Sequence, residues 1–363
     1  MHENDTVVHY NPNDVRIINP KHLPFGLRNL EACTNGERVA KVERWLNARI
    51  SNLHRSYMNV IYSLKKIGRD NDNILRDSLA VSFTDNFWIK TSDVELDWNE
   101  FEKWRDKNVY LAEASLTGKT PRDGYNTEGV TSIFTTKGYY PKSVLNGYIY
   151  KDLENSINDY TACLIAGHLS IPCAECELLD DRVKIKIFTS NDKSFVHASD
   201  FLEEFDLNAN DLMDYFEKTN AGIAEKLKLL CIFNYIIGNG DLHNENFGFL
   251  YDPSTFELID IAPCFDHNRA FDLLFDEPEV CTDAAFFGGS HYVPRGENTL
   301  LDIKSITMKY ARDFTHLKPL LLSLDFRGLQ AFLNQEQTVQ LKARIDDVVR
   351  LMTQYNHDTG KMK

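Results

Sequence analysis

Asp241 and Asn246 stand five positions apart in Gly238-Asn-Gly-Asp-Leu-His-Asn-Glu-Asn246, and Asp266 closes Ile261-Ala-Pro-Cys-Phe-Asp266 twenty residues later. Phosphoryl transfer from ATP needs few parts: a carboxylate to orient the attacking hydroxyl, oxygen ligands for magnesium, and a cation facing the phosphates. The transition state makes little covalent demand on the protein, so placement and charge supply most of the rate. The Asp-to-Asn interval equals that of the kinase loop H-R-D-x-x-x-x-N, whose Asp serves the hydroxyl and whose Asn binds metal. Asp266 occupies the place of the Asp of D-F-G, with His267 standing where that motif has Gly. A lone Asp-x-x-x-x-Asn is weak, because it arises by chance in loops, and a later Asp can simply cap a helix. The ordered set carries the reading: a buried helix, Gly-x-Gly-Asp-x-His-x-x-Asn, a short hairpin, then Pro-x-Phe-Asp. His243, as a lone histidine, is expected to shape the loop rather than act as a base.

Such a loop needs rigid mounts. Ile223 to Ile237 is apolar almost throughout, which predicts a buried helix stopped by Gly238-Asn-Gly240. Gly248–Tyr251 and Glu257–Ile261 read as two strands turning at Asp252-Pro-Ser. Upstream, Ser132 to Lys142 reads as a strand, a turn near Lys137-Gly138 and a second segment. Gly147–Lys151 is a short strand, Asn158–Leu169 a helix, and Glu177–Leu179 with Val183–Phe188 two further strands, making a small α+β lobe. Thr34-Asn-Gly-Glu37 is a capping box opening a helix to about residue 66, interrupted near Ser51. Val81–Lys90 is rich in strand formers, and Trp98, Phe101 and Trp104 recur at three-residue intervals, as core residues on one helical face. Gly118–Gly129 is loop, and the chain after Ser199 is mainly helical, ending on Val339–Met352.

The chain has 363 residues, 43% hydrophobic and 12% aromatic, enough for two cores or one large two-lobed unit. No apolar run approaches the roughly 20 residues that span a bilayer. The polar start, Met1 to Asn11, lacks a secretion-signal pattern, so a cytoplasmic protein is expected, with signal-independent secretion left open. The formal charge of −14 disfavours nucleic acid as a direct partner. Seven scattered cysteines include Cys173-Ala-Glu-Cys176 without a second ligand pair nearby, so they are read as ordinary reduced thiols.

Gly238 to Leu250, followed by Ile261 to Asp266, closely resembles the signature of the HipA-like kinases, which include bacterial toxin kinases and secreted proinflammatory kinases. The match is strong from about 130 to 270. Trp45-Leu-Asn-Ala-Arg49 with Phe83-Thr-Asp-Asn-Phe-Trp88 resembles the N-terminal part of a stand-alone HipA-like group. The resemblance implies an α+β, bilobal kinase-like fold: an N-terminal segment over 1–127, a small mixed N-lobe core over 128–190, and a mainly helical C-lobe over 191–363. It implies an ATP- and magnesium-dependent Ser/Thr protein kinase with Asp241 as the catalytic residue and Asn246 and Asp266 on the metal.

Lys151 would contact the ATP phosphates, with Asp159 in the place of its usual helix partner, a Glu. Thr135, Thr136, Lys137 and Gly138 would lie in the phosphate-covering loop, Ile187 and Phe188 at the adenine, and His243 beside the nucleotide. In the family that loop can carry an autophosphorylated Ser, and Ser132, Thr135 and Thr136 are the candidates. A phosphate there would add about −1.5 to −2 charge where the ATP phosphates sit and inhibit binding. The implied partners are ATP, a protein substrate and an antitoxin-like protein, without direct nucleic-acid or membrane binding. Two rival readings stay open: a nucleotide-binding pseudokinase or toxin–antitoxin-type module, which Asp159 favours mildly, and a small-molecule or lipid kinase. The loop Ala284–His291 is a candidate determinant of substrate choice.

Overall fold

The structure, a computed structural model, describes residues 1–51, 55–120, 128–273 and 302–358. The segment Ala284–His291 lies outside them. The chain opens with strands β1 (Val8–Asn11) and β2 (Asp14–Ile17), then helices α1 (Asn35–Ala48), α2 (Met58–Lys65), α3 (Asn71–Ser78), α4 (Trp98–Trp104) and α5 (Val109–Thr117). Strands β3 (Lys142–Leu145) and β4 (Tyr148–Asp152) lead into helix α6 (Leu153–His168), followed by β5 (Cys176–Leu178), β6 (Arg182–Lys186) and β7 (Ser194–His197). Helices α7 (Ala198–Phe205), α8 (Leu212–Thr219) and α9 (Ala221–Ile236) precede β8 (Gly248–Tyr251) and β9 (Leu258–Ile261). Helices α10 (Ile303–Tyr310), α11 (Lys318–Leu322), α12 (Phe326–Leu329) and α13 (Gln335–Asp358) complete a mixed α and β chain. It forms two compact units: Met1–Asn155 with Glu177–Val196 and Phe249–Ile259, and Ser156–Cys176 with His197–Gly248 and Asp260–Lys363.

In the first unit, a four-stranded sheet runs in the order β3-β4-β6-β5, with β4 antiparallel to both β3 and β6. Val144 and Val183 are buried on it, and Val144 joins a core with Met58, Ile61, Tyr62, Ile74, Ile133 and Phe134. The remaining sheet strands follow the order β7-β8-β9. The Thr34–Glu37 capping box is present, so α1 begins where the sequence predicts. It ends at Ala48, and the Arg49 side chain donates from Nε to the Ala80 carbonyl and from its two terminal nitrogens to Asp85, at 2.8 and 2.9 Å. The two segments of the stand-alone HipA-like resemblance thus meet here, with Arg49 stacked over Trp45 and Trp45 edge-on to Phe87.

Three expectations for this unit are corrected. Val81–Lys90 is not a strand, because Ser82 and Asp85 side chains bind the amides of Thr84 and Phe87 and so satisfy backbone that a ladder would use. Phe101 stacks on both Trp88 and Trp98 in a second core cluster, but Trp104 is 63% exposed at the end of α4. Ser132–Lys142 opens as a single 3-10 turn, Ser132–Phe134, rather than a strand. Buried Asp106 causes this: its carboxylate accepts the Ser132 amide and hydroxyl, both at 2.7 Å. Burial pushes the Asp106 carboxyl pKa up, and the Ser132 hydrogen bonds oppose that rise.

The second unit is built around α9. Asn220 caps it by accepting the Ile223 amide, and from Leu230 to Ile236 every side chain is buried. Helices α8, α10 and α13 pack on it. Full burial of each large apolar side chain here contributes about 1.5–3 kcal/mol, which gives the following loop a stiff base. No described helix is long and apolar enough to cross a membrane.

Candidate active site

The second unit holds Asp159, Asp241, His243, Asn246 and Asp266 together; Lys151, Thr135 to Gly138, Ile187 and Phe188 belong to the first. The site starts from a polar residue inside the apolar helix. Asn234, fully buried in α9, donates to the Leu230 carbonyl and accepts from the Asn239 side chain at 2.8 Å. Asn239 in turn accepts the Asp241 amide at 3.1 Å. The loop after α9 is therefore tied to the helix core by two buried side-chain amides. Each such bond contributes about 1 kcal/mol, and an orphaned buried amide would cost about 1–3 kcal/mol.

Within the loop, Asn246 Nδ2 donates to the Asp241 carbonyl at 2.8 Å and to its carboxylate Oδ2 at 3.3 Å. The Asn246 amide donates to the His243 carbonyl at 2.7 Å. His243 Nδ1 accepts the Glu245 amide at 3.2 Å, which assigns the ring proton to Nε2. Nε2 lies 4.0 Å from Asp241 Oδ2, beyond hydrogen-bond reach of the carboxylate. His197 Nδ1 completes the loop's support at the Glu245 carbonyl, 2.9 Å away.

Arg344 of α13 is 2% exposed, and its Nε donates to the Ile236 carbonyl at 3.1 Å, where a cation complements the end of α9. Gly238 has φ +59°, and a Cβ there would lie 2.6 Å from the Arg344 guanidinium carbon. Gly238→Ala is therefore expected to destabilise the fold by about 1–3 kcal/mol, from left-handed strain and displacement of a packed cation. Urea unfolding reads this as a lower midpoint; an unchanged midpoint would contradict the packing described.

The segment carrying Asp266 is fixed by α6. Asp159, 2% exposed, accepts the His267 amide on Oδ1 at 2.6 Å. Its neighbour Asn158 donates from Nδ2 to the carbonyls of Asn268 and Ala270, at 3.0 and 2.9 Å. Beyond it, the Phe271 amide returns to the Ile237 carbonyl at 2.7 Å, tying this segment to the start of the loop after α9. Asp266 itself sits at φ +58°, a strained conformation for a residue with a Cβ, held by its pinned neighbours.

No family model and no curated protein matches the chain. Solved kinase structures do resemble it. One is the proinflammatory kinase CtkA of Helicobacter pylori, at 17% identity and a TM-score of 0.37, covering 60% of this chain and 94% of that one. Another is a chain of the Shewanella oneidensis toxin–antitoxin complex of HipA, HipB and operator DNA, at 14% identity and a TM-score of 0.46, covering 85% and 86%. Neither likeness carries the assignment of chemistry, which rests on the loop itself.

In the first unit, Lys151 is buried in β4 between Lys142 of β3 and Val183 of β6. The Ile187 amide, expected near adenine, is already taken by the Gly147 carbonyl at 3.0 Å, extending the sheet. Phe188 packs edge-on to Phe195. Lys142 Nζ reaches the Lys137 carbonyl at 2.6 Å and fills the space beside Gly138, whose φ is +104°.

The candidate phosphorylation hydroxyls face inward. Ser132 is bound to Asp106, Thr135 to the Val81 carbonyl, and Thr136 to the Ser132 carbonyl. Arg55, also buried, holds the Ile133 and Thr136 carbonyls, each at 2.6 Å, and burial pulls its pKa down to about 10. Phosphorylation of Ser132, Thr135 or Thr136 therefore requires this loop to leave the position described.

Sequence reasoning missed Asn158, Asn239 and Arg344. Two signals were present: Asn234 interrupts an otherwise apolar helix, and Asn158 stands next to Asp159. Arg344 gave none, because a single arginine on an amphipathic helix reads as solvent-exposed.

Proposed function

We propose that the chain is an ATP- and magnesium-dependent phosphotransferase that phosphorylates a Ser or Thr hydroxyl of a protein. One observation carries the reading: Asn246 Nδ2 binds both the carbonyl and the carboxylate of Asp241. The two residues assigned as base and metal ligand are thereby held as one unit. A side-chain amide oxygen and the Asp266 carboxylate are hard oxygen donors of the kind magnesium takes. Among the described residues no group of three His, Cys, Asp or Glu side chains is placed to hold a metal.

Asn246 and Asp266 would hold a magnesium ion, which would supply positive charge against the nucleotide phosphates. Asp241 orients the attacking hydroxyl and takes its proton on a carboxylate oxygen. Asn246 Nδ2 keeps that carboxylate turned to one face. Asp159 and Asn158 hold the Asp266 segment so that its carboxylate does not have to reorganise during transfer. Lys151 is assigned to the nucleotide phosphates on the sequence resemblance.

Thermal unfolding with ATP tests the metal assignment. ATP is expected to raise the midpoint by several degrees with magnesium and little in EDTA, since a ligand at 100 times its Kd stabilises by about 2.7 kcal/mol. Asn246→Ala and Asp266→Ala should each remove most of the magnesium-dependent increment. An equal shift in EDTA would contradict the roles given to these two residues.

A further inference from the structure

Arg55 is a buried cation that the proposed chemistry does not use. It stands just before α2, is 2% exposed, and spends its terminal nitrogens on neutral groups. Nη1 donates to the Thr136 carbonyl, and Nη2 meets the Ile133 carbonyl and the Met58 sulfur. Among the described residues no carboxylate pairs with it. Asp106, the buried acid that holds the same turn, accepts from Ser132 and Thr131 instead. Burial pulls the Arg55 pKa only to about 10, so the guanidinium stays charged at neutral pH. A charge without a counter-charge costs far more in an apolar interior than in water.

The atoms around it are donors without acceptors. Arg55 Nε is buried and has no hydrogen-bond partner among the described residues, and the same holds for the hydroxyls of Ser51 and Tyr62, residues 3% and 2% exposed. The three side chains surround Phe134. The Ser51 amide donates to the Phe134 carbonyl at 2.7 Å, and Arg55 holds the carbonyls of residues 133 and 136 on either side. The Tyr62 ring stacks on Phe134 with 5.8 Å between centroids. On α2, Tyr62 lies one turn beyond Met58, whose sulfur is 2.8 Å from Arg55 Nη2.

We propose that Ser51, Arg55 and Tyr62 bind a small monovalent anion of the halide class beside Phe134. One negative charge matches the one guanidinium, and an N–H with two O–H groups supplies three donors to it. A doubly charged phosphate would leave one charge unmatched among Met58, Ile61, Ile74, Ile133 and Phe134, the core that encloses these residues. Water could satisfy the donors but not the charge. Burial pushes the Tyr62 phenol pKa up, which keeps it a donor. Chloride is the common ion of this class. It would act as the buried counter-ion of the turn Ser132–Phe134, which Arg55 and Asp106 hold from two sides. The site lies wholly within the first unit and does not depend on phosphoryl transfer.

Thermal unfolding of the whole chain reads the site, with potassium chloride replacing potassium gluconate at constant ionic strength. The midpoint is expected to rise by about 2–4 °C and to saturate, as for a ligand that binds the folded state. Tyr62→Phe keeps the ring stack and removes one donor, whereas any change at Arg55 would also release residues 133 and 136. The variant should need about 10-fold more chloride for half the rise, the effect of one hydrogen bond to a charged group. In gluconate it should melt no lower than wild type, because the hydroxyl has no protein partner to lose. A flat response, or a rise that does not saturate and is equal in both proteins, overturns the proposal. Crystals grown in sodium bromide locate the ion: an anomalous peak within hydrogen-bond reach of Arg55 Nε is expected. Ordered water there, or no peak, overturns the site.

Discussion

Asp241→Asn is expected to lower kcat by about 10²–10⁴-fold, the range for losing a positioned general base, while nucleotide affinity stays close to wild type. The substitution keeps the shape of the side chain. Its amide oxygen can still accept from Asn246 Nδ2, which also holds the Asp241 carbonyl. The Asn239 bond to the residue 241 backbone amide is untouched. What disappears is the capacity to take a proton and the negative charge facing His243. The measurement is single-turnover transfer from labelled ATP beside a binding titration of the same protein. A variant that retains wild-type kcat would remove Asp241 from the chemistry. One that loses binding and turnover together would show that Asp241 serves the fold of the loop instead.

Asp159→Glu should impair the protein, although it restores the residue type that the HipA-like resemblance leads one to expect. Asp159 is 2% exposed and its carboxylate meets the His267 amide at 2.6 Å, so there is no room for another methylene. Overpacking a filled site costs about 1–3 kcal/mol, and moving the carboxylate also moves the backbone next to Asp266. Activity is expected to fall by about 10²-fold if the metal ligand shifts by about 1 Å. Asp159→Asn, which keeps an acceptor oxygen at the same reach, should be milder in both stability and activity. Activity and urea unfolding of the two variants decide the matter. Wild-type or higher activity in the Glu variant would show that the short side chain is a deficiency and not a fitted clamp.

The grouping of one side of the candidate site was readable in the sequence because its parts are local. Asp241, His243 and Asn246 fall within one turn of chain after a strongly apolar helix, and spacing alone brings them together. The hairpin and the capping box were legible for the same reason, since short-range chemistry dictates them. What supports the site was not legible, because it comes from afar in sequence. Asp159 and Asn158 reach residues 267–270 across more than a hundred positions, and Arg344 reaches Ile236 across 108. The largest misreading, a strand at Val81–Lys90, has a specific cause. Its β-branched and aromatic residues satisfy strand propensity, but Ser82 and Asp85 cap the local backbone and Arg49 grips Asp85 and the Phe87 carbonyl. Tertiary hydrogen bonding overrode propensity there. The inward turn of Ser132, Thr135 and Thr136 followed equally from a distant residue, Asp106, whose buried carboxylate no local pattern announces.

The central claim is transfer of a phosphoryl group, and γ-labelled ATP measures it most directly. Purified wild-type protein with magnesium and a mixed protein substrate should place label on Ser or Thr, and Asp241→Asn or EDTA should abolish it. Wild-type protein no more active than Asp241→Asn, or label appearing only on a non-protein acceptor, would contradict the account.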